Sequence, residues 1–232
     1  MLYTYGFIAR PETNVDLSLP IGIRNPVQIL GSQSLQAIVE IDAFIDQLPT
    51  EDEALLDAVL HHDRVVQWVF RAVPILPLRF GSQFSTLESL ETYLQNHEIL
   101  YGEQLKQFCD RAEFSLAFVP RSPSESLLGL STPAEKGRAF FLAKKQRLQE
   151  ENDRLERQQT QWKQLKQNIK IAYPQSLWSE SSEGSLAKAH LLLSFKRYPH
   201  LQKQIIQWEE TFSEWELHLS NPLPPYHFVT WE

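Results

Sequence analysis

Cysteine is nearly absent from this chain: Cys109 is the only one in 232 residues. An internal disulfide and any multi-cysteine metal site are therefore excluded. Cys109 lies in a helical pattern, where a buried structural thiol is expected rather than a nucleophile. Glycine is scarce too, with 8 residues, and neither a GxGxxG nor a P-loop pattern occurs. A glycine-rich phosphate cradle is thus missing, and so is a GxSxG nucleophile elbow. Positive charge falls short: 22 Lys and Arg stand against 29 Asp and Glu, a formal charge of −7. That balance opposes nucleic-acid binding, which needs clustered cations to displace counterions. No apolar run approaches a membrane span. The opening "MLYTYGFIAR" is too short and too polar for a signal-peptide core. These absences predict a soluble, cytoplasmic chain with no membrane and no nucleic-acid partner.

What is present is core material. Apolar residues make up 42% of the chain, with 13 Phe, 7 Tyr and 6 Trp. The length suits one large domain or two small ones.

The first half reads as an α+β module over residues 1–110. "LYTYGFIA" is a strand, and "VQILGSQSLQAIVEI" is two strands with a turn at Gly31-Ser32. "TEDEALLDAVLHHDRVVQWVFRAV" is a helix, with Thr50 and Glu53 fitting a capping box. Leu55, Val59, His62, Val66, Val69 and Val73 form its expected buried stripe. Pro74 ends it. "STLESLETYLQNHEILYGEQLKQFC" reads as one further helix, with Ser85 and Glu88 as its capping pair. Leu87, Leu90, Leu94, His97, Tyr101, Leu105 and Phe108 mark its packed face.

The second half, residues 111–232, reads as a modified ferredoxin-like domain. "EFSLAFVP" alternates as a strand does. Thr132, Pro133 and Glu135 combine an N-cap, a first-turn proline and a capping-box partner. The helix they open is expected to cover about 133–172 as a long protruding extension. Phe141, Leu148, Leu155, Trp162 and Ile169 recur every seven residues, but the intervening positions are mostly polar. Only one of the two apolar seams of a coiled coil is filled. A straight helix and a hairpin turning near Gln158–Gln161 both fit this pattern. A strand near "SLWS", the strand "AKAHLLLSFKR", a helix with Leu201, Ile205, Trp208 and Phe212 on one side, and the strand "WELHLS" complete the order. Strand, helix, strand, strand, helix, strand is ferredoxin-like.

Candidate chemistry is sparse. In "HHD" at His61–Asp63 the two histidines are adjacent rather than four apart, so a zinc-protease helix is excluded. His62 falls on the apolar stripe and is expected to be a packing histidine. His97, His190, His200, His218 and His227 lie in separate elements with no ligand-set spacing. No catalytic, metal or cofactor-binding residues are expected. "AHLLLSFKRY" carries the aromatics and cations of an RNA-binding strand without its glycines, which weakens that alternative.

The least ordinary stretch is "PILPLRFGSQF". Alternation puts Leu76, Leu78 and Phe80 on one face and Ile75, Pro77 and Arg79 on the other. Pro77 cannot donate to a ladder, so the strand is expected at an edge or a bulge. Gly81 lets the chain turn. Arg79 lacks companion cations, so a salt bridge or backbone hydrogen bonds are expected of it rather than an anion site.

The chain resembles the gas vesicle protein F/L family over nearly its whole length. The resemblance rests on "YTYGFIA", on "HHDRVVQWVF" leading into "PILPLRFGSQF", on "KGRAFFLAKKQ", and on "NPLPPYHFV", in that order. Pro77, Leu78, Arg79, Phe80 and Gly81 form the most telling family motif. Two departures stand out. Asn221 and Leu223 replace the Gly and Trp of the family's Gly-Pro-Trp-Pro-Pro-Tyr, and Phe140 and Phe141 stand in its Gly-x-x-Tyr-Leu motif.

The resemblance implies a non-enzymatic role as a minor vesicle component, made in the cytoplasm and monomeric before assembly. Its implied partners are the hydrophobic major shell protein, held during nucleation against aggregation, and other gas vesicle accessory proteins. Which surface binds them is open. A small-molecule or nucleotide-binding module on the ferredoxin-like half is the alternative.

Overall fold

The computed structural model describes residues 1–10, 19–31, 34–43, 49, 51–122, 138–179 and 187–231. The fold mixes helix with two antiparallel sheets. Two compact units are formed. The first comprises Met1–Phe114, Leu192–Phe195 and Asn221–Glu232, and the second Ser115–Leu191 and Lys196–Ser220.

In the first unit, β1 (Leu2–Ala9), β2 (Val27–Gly31), β3 (Leu35–Ile41), β4 (Leu76–Pro77) and β5 (Gln83–Phe84) make one sheet. Its order is β2-β3-β1-β4, with β5 also paired to β1. β2 pairs antiparallel with β3, as expected of the two strands; Ser32, of their expected turn, lies outside the described residues. One core lies between the sheet and α1 (Asp52–Ala72), through Tyr3, Tyr5, Ile38, Val65, Val66 and Val69. A second core packs Leu2, Phe7, Ala37 and Val39 with Leu90, Leu94, Tyr101 and Leu105. Those four belong to α2 (Leu87–Asn96) and α3 (Glu98–Gln107).

Several local expectations shift. The N-cap of α1 is Glu51, with no side-chain cap; Thr50 lies outside the described residues. The buried face of α1 is Ala58, His62, Val65, Val66 and Val69, while Val59 is exposed. Both sides of this helix carry apolar residues, so spacing alone favoured a stripe rotated from the packed one. At the next helix the capping box is Thr86 with Ser89, one residue beyond the expected pair. The single helix expected there is two, broken at His97 (φ −109°, ψ 8°). The imidazole Nδ1 donates to the Tyr93 carbonyl at 2.7 Å, and the same oxygen accepts the His97 backbone N–H at 3.2 Å. Leu87 is exposed. Cys109 is exposed as well, against the expected buried thiol. It follows the end of α3, where Phe108 takes the buried position.

In the second unit the sheet order is β7-β8-β6-β9. Its strands are β6 (Arg111–Pro120), β7 (Leu177–Ser179), β8 (Lys188–Ser194) and β9 (Trp215–Leu219). β6 and β8 continue by a few residues into the first unit. Between strands run α4 (Arg138–Ala172) and α5 (Tyr198–Thr211). α4 is helical straight through Gln158–Gln161, so the hairpin does not form. Its heptad residues part company along its length: Ile169 is buried, whereas Phe141, Leu148 and Leu155 are exposed. Trp162 joins Phe118, Trp178 and Trp215 in an aromatic cluster. Leu201, Ile205, Trp208 and Phe212 are buried, as α5's spacing predicts. The cap at Thr132, Pro133 and Glu135 lies outside the described residues. Among described residues, no helix is long and apolar enough to cross a membrane.

The tail from Asn221 follows the second unit in sequence yet packs in the first. Glu113 and Leu223 form a β-bridge. Tyr226 lies against the α1-side core, and Phe228 and Val229 against the other. Three closely spaced aromatics, Tyr226, Phe228 and Trp231, in a segment too proline-rich for a long strand pack against an existing core.

Candidate functional site

Tyr3, Tyr5, His62, Phe80 and Tyr226, from four of the five quoted motifs, lie on the α1 side of the first sheet. A β-bulge in β1 makes this possible. Thr4 pairs with Val39 and Gly6 with Ile38, which leaves Tyr5 as the extra residue. The bulge changes the side-chain parity, so Tyr3 and Tyr5 face α1 while Phe7 faces the other core.

Glu40, fully buried on β3, sits opposite Tyr3. Its carboxylate accepts N–H groups from Ile23 at 2.7 Å, Arg24 at 2.8 Å and Asn25 at 2.7 Å, and the hydroxyl of Tyr5. Three converging N–H dipoles stabilise the buried charge in place of water. Gly22 completes the nest: a Cβ there would lie 2.1 Å from Glu40 Oε2 and 2.6 Å from the Tyr5 hydroxyl. Sequence reasoning passed over Glu40. Strand alternation gave no signal, because both faces of β3 are buried, Ile38 on one side and Ala37 and Val39 on the other.

His62 is 3% exposed and supports the expected packing role. Its Nε2 donates to the Leu78 carbonyl at 3.2 Å. In the neutral ring Nδ1 then accepts, so the Tyr3 hydroxyl donates to it at 2.8 Å. The same hydroxyl accepts the Gly81 N–H at 3.2 Å. Burial lowers the His62 pKa to about 4, so the ring is neutral at pH 7. Burial also pushes the Tyr3 phenol up, and for Tyr5 the hydrogen bond and charge of Glu40 add to it.

The segment Pro77–Gly81 is therefore held from both ends. Pro77 pairs with Gly6 on the sheet edge, where a residue without an N–H fits. Leu78 N–H donates to the Tyr5 carbonyl at 2.9 Å, and its side chain packs on the second core. Alternation fails after Pro77, because β4 is only two residues long. Phe80 consequently turns to the α1 side, edge-on to Tyr3 and His62. Gly81 adopts φ 89°, a conformation that favours glycine. Arg79 is exposed, so it needs no buried partner. Its carbonyl takes the Ser82 N–H at 3.2 Å and hydroxyl at 2.7 Å.

Two further buried polar side chains hold the tail. Glu113 accepts the His227 N–H at 2.9 Å and pairs with its Nδ1 at 2.7 Å. Gln104 exchanges two hydrogen bonds with the Thr230 backbone, at 2.8 and 3.0 Å. Within the second unit, the His190 ring is bonded to Ser115 and Ser179. Taken by itself, the first unit brings no three His, Cys, Asp or Glu side chains together among its described residues. The chemistry of the Tyr3–Glu40–His62 cluster is the fixing of backbone: both imidazole nitrogens, the carboxylate and both phenols are engaged.

The motifs quoted from "YTYGFIA", "HHDRVVQWVF", "PILPLRFGSQF" and "NPLPPYHFV" thus all contribute to the first unit, whereas "KGRAFFLAKKQ" reaches the described part of the second at α4. A family model described as gas vesicle synthesis protein GvpL/GvpF matches residues 1–230. No curated protein matches the chain. The crystal structure of the gas vesicle protein GvpF from Anabaena sp. PCC7120 is similar, with a TM-score of 0.70 at 18% identity, covering 100% of this chain and 96% of that one. GvpF from Microcystis aeruginosa gives a TM-score of 0.69 at 16% identity, with 99% of each chain covered. At such identities the likeness is one of fold, but the family match spans nearly every residue: the chain belongs to the gas vesicle synthesis protein GvpL/GvpF family.

Proposed function

We propose that this chain is a non-enzymatic accessory protein of gas vesicle formation that binds the hydrophobic major shell protein during nucleation and limits its aggregation. The observation that carries the reading is the family match over residues 1–230. The engagement of Tyr3, Tyr5, Glu40 and His62 with backbone favours a structural over a catalytic use of that cluster. A shell protein with exposed apolar surface aggregates unless another surface covers it. Other accessory proteins of the vesicle are further partners, and the chain remains with the vesicle as a minor component after synthesis in the cytoplasm. Pro77–Gly81 serves as the seam of the first unit. The element order β6-α4-β7-β8-α5-β9, with strand order β7-β8-β6-β9, supports a ferredoxin-like second domain.

A pull-down against each vesicle protein, with cross-linking to map the contact, tests the partner assignment. Retention of the major shell protein is expected, together with lost or deformed vesicles on deletion of the gene. Normal vesicles in a deletion strain that has no paralogue would overturn the reading.

A further inference from the structure

Two exposed helix faces carry apolar residues ringed by opposite charge. On α1, Leu56 is 59% and Leu60 56% exposed, and Val59 lies beside them. Their spacing puts all three on one side of the helix, flanked by exposed Asp52 and Asp63. Residues 51–63 contain five acids and neither Lys nor Arg. On α4, Phe141 is 71% and Leu148 53% exposed. They lie seven residues apart, with exposed Lys144 and Lys145 between them on the same side. Residues 140–149 contain three cations and no acid, in a chain of net charge −7.

We infer that these faces are the two halves of one interface between copies of this chain. The basic apolar turns of α4 in one copy lie along the acidic apolar turns of α1 in the next. A second copy is the occupant the charges select. Each copy supplies both a patch and its complement, and like patches repel when juxtaposed. A purely apolar partner would match the leucines but leave the flanking charges unanswered. The contact joins two different surfaces, so it closes as a reciprocal dimer or continues as a chain of copies.

Sedimentation velocity of the full chain, over a range of concentrations at low and high salt, tests this. A mass rising above the monomer with concentration is expected, with affinity falling about tenfold or more at high salt because the charges are at the surface. Asp52→Lys with Asp63→Lys should abolish association, as should Lys144→Glu with Lys145→Glu. An equimolar mixture of the two double variants should associate again, since each then meets its complement. Leu60→Ser, which changes no charge, should weaken association about tenfold through lost apolar contact. A wild-type monomer at every concentration overturns the proposal, even one that binds the shell protein. Association unmoved by either charge reversal does so too, as does failure of the mixture to associate while circular dichroism reports both variants folded.

Discussion

The first unit buries a carboxylate, an imidazole and two phenols against its sheet, whereas the first half of α4 exposes phenylalanine and leucine. Each region departs from the ordinary partition of polar and apolar groups, in opposite directions. Buried polar groups persist where every donor and acceptor is matched, and the Glu40 nest and the His62–Tyr3–Gly81 chain satisfy that condition within the unit. Apolar side chains outside have no such internal resolution, and their cost falls only when another molecule covers them. The contrast separates residues that hold the fold from residues that the proposed contact between copies would cover.

The sharpest test removes the nest. Glu40→Ala leaves three backbone N–H groups without their acceptor, and a loss of about 3–5 kcal/mol in chemical denaturation is expected. A change below about 1 kcal/mol would mean the nest is incidental. Next comes acid. His62 holds a proton less readily folded, near pKa 4, than unfolded, near 6.5. Its contribution is present in full above pH 6.5 and is lost as pH falls toward 4, because the unfolded chain then binds the extra proton. The difference amounts to about 3 kcal/mol across that window. His62→Gln should flatten this part of the stability profile; an unchanged slope would assign the acid sensitivity to other groups. Gly81→Ala forces a side chain onto φ 89°, with an expected cost of about 1–2 kcal/mol by thermal denaturation. At the other pole, Leu148→Ser should shift stability by no more than about 0.5 kcal/mol. A larger loss would show that this half of α4 contributes to the fold after all.

Strands, hairpin and most helices were legible because their signals are local: Gly31 at the end of β2, Pro74 after α1, and the spacing of α5's buried residues. What stayed hidden depends on packing across the chain. The bulge at Tyr5 exists only relative to β3's register. Glu40 reads like any strand carboxylate until the loop 22–25 closes over it. Alternation through Pro77–Gly81 assumed a longer strand than edge pairing sustains, and so misplaced Phe80. Heptad spacing marked one narrow stripe along a protruding α4 without showing where that stripe meets a core, which its last turns do.

The placement of the tail bears on the order in which the molecule is made. Trp231 meets Phe7 and Tyr101 edge-on, and Thr230 is bound to Gln104, so residues far apart in the sequence pack together in the first unit. A ribosome that has delivered the first 114 residues has not yet delivered the segment that packs over Phe7. The first unit to emerge is therefore the last to be finished, and a nascent chain stalled before Asn221 carries an open aromatic core.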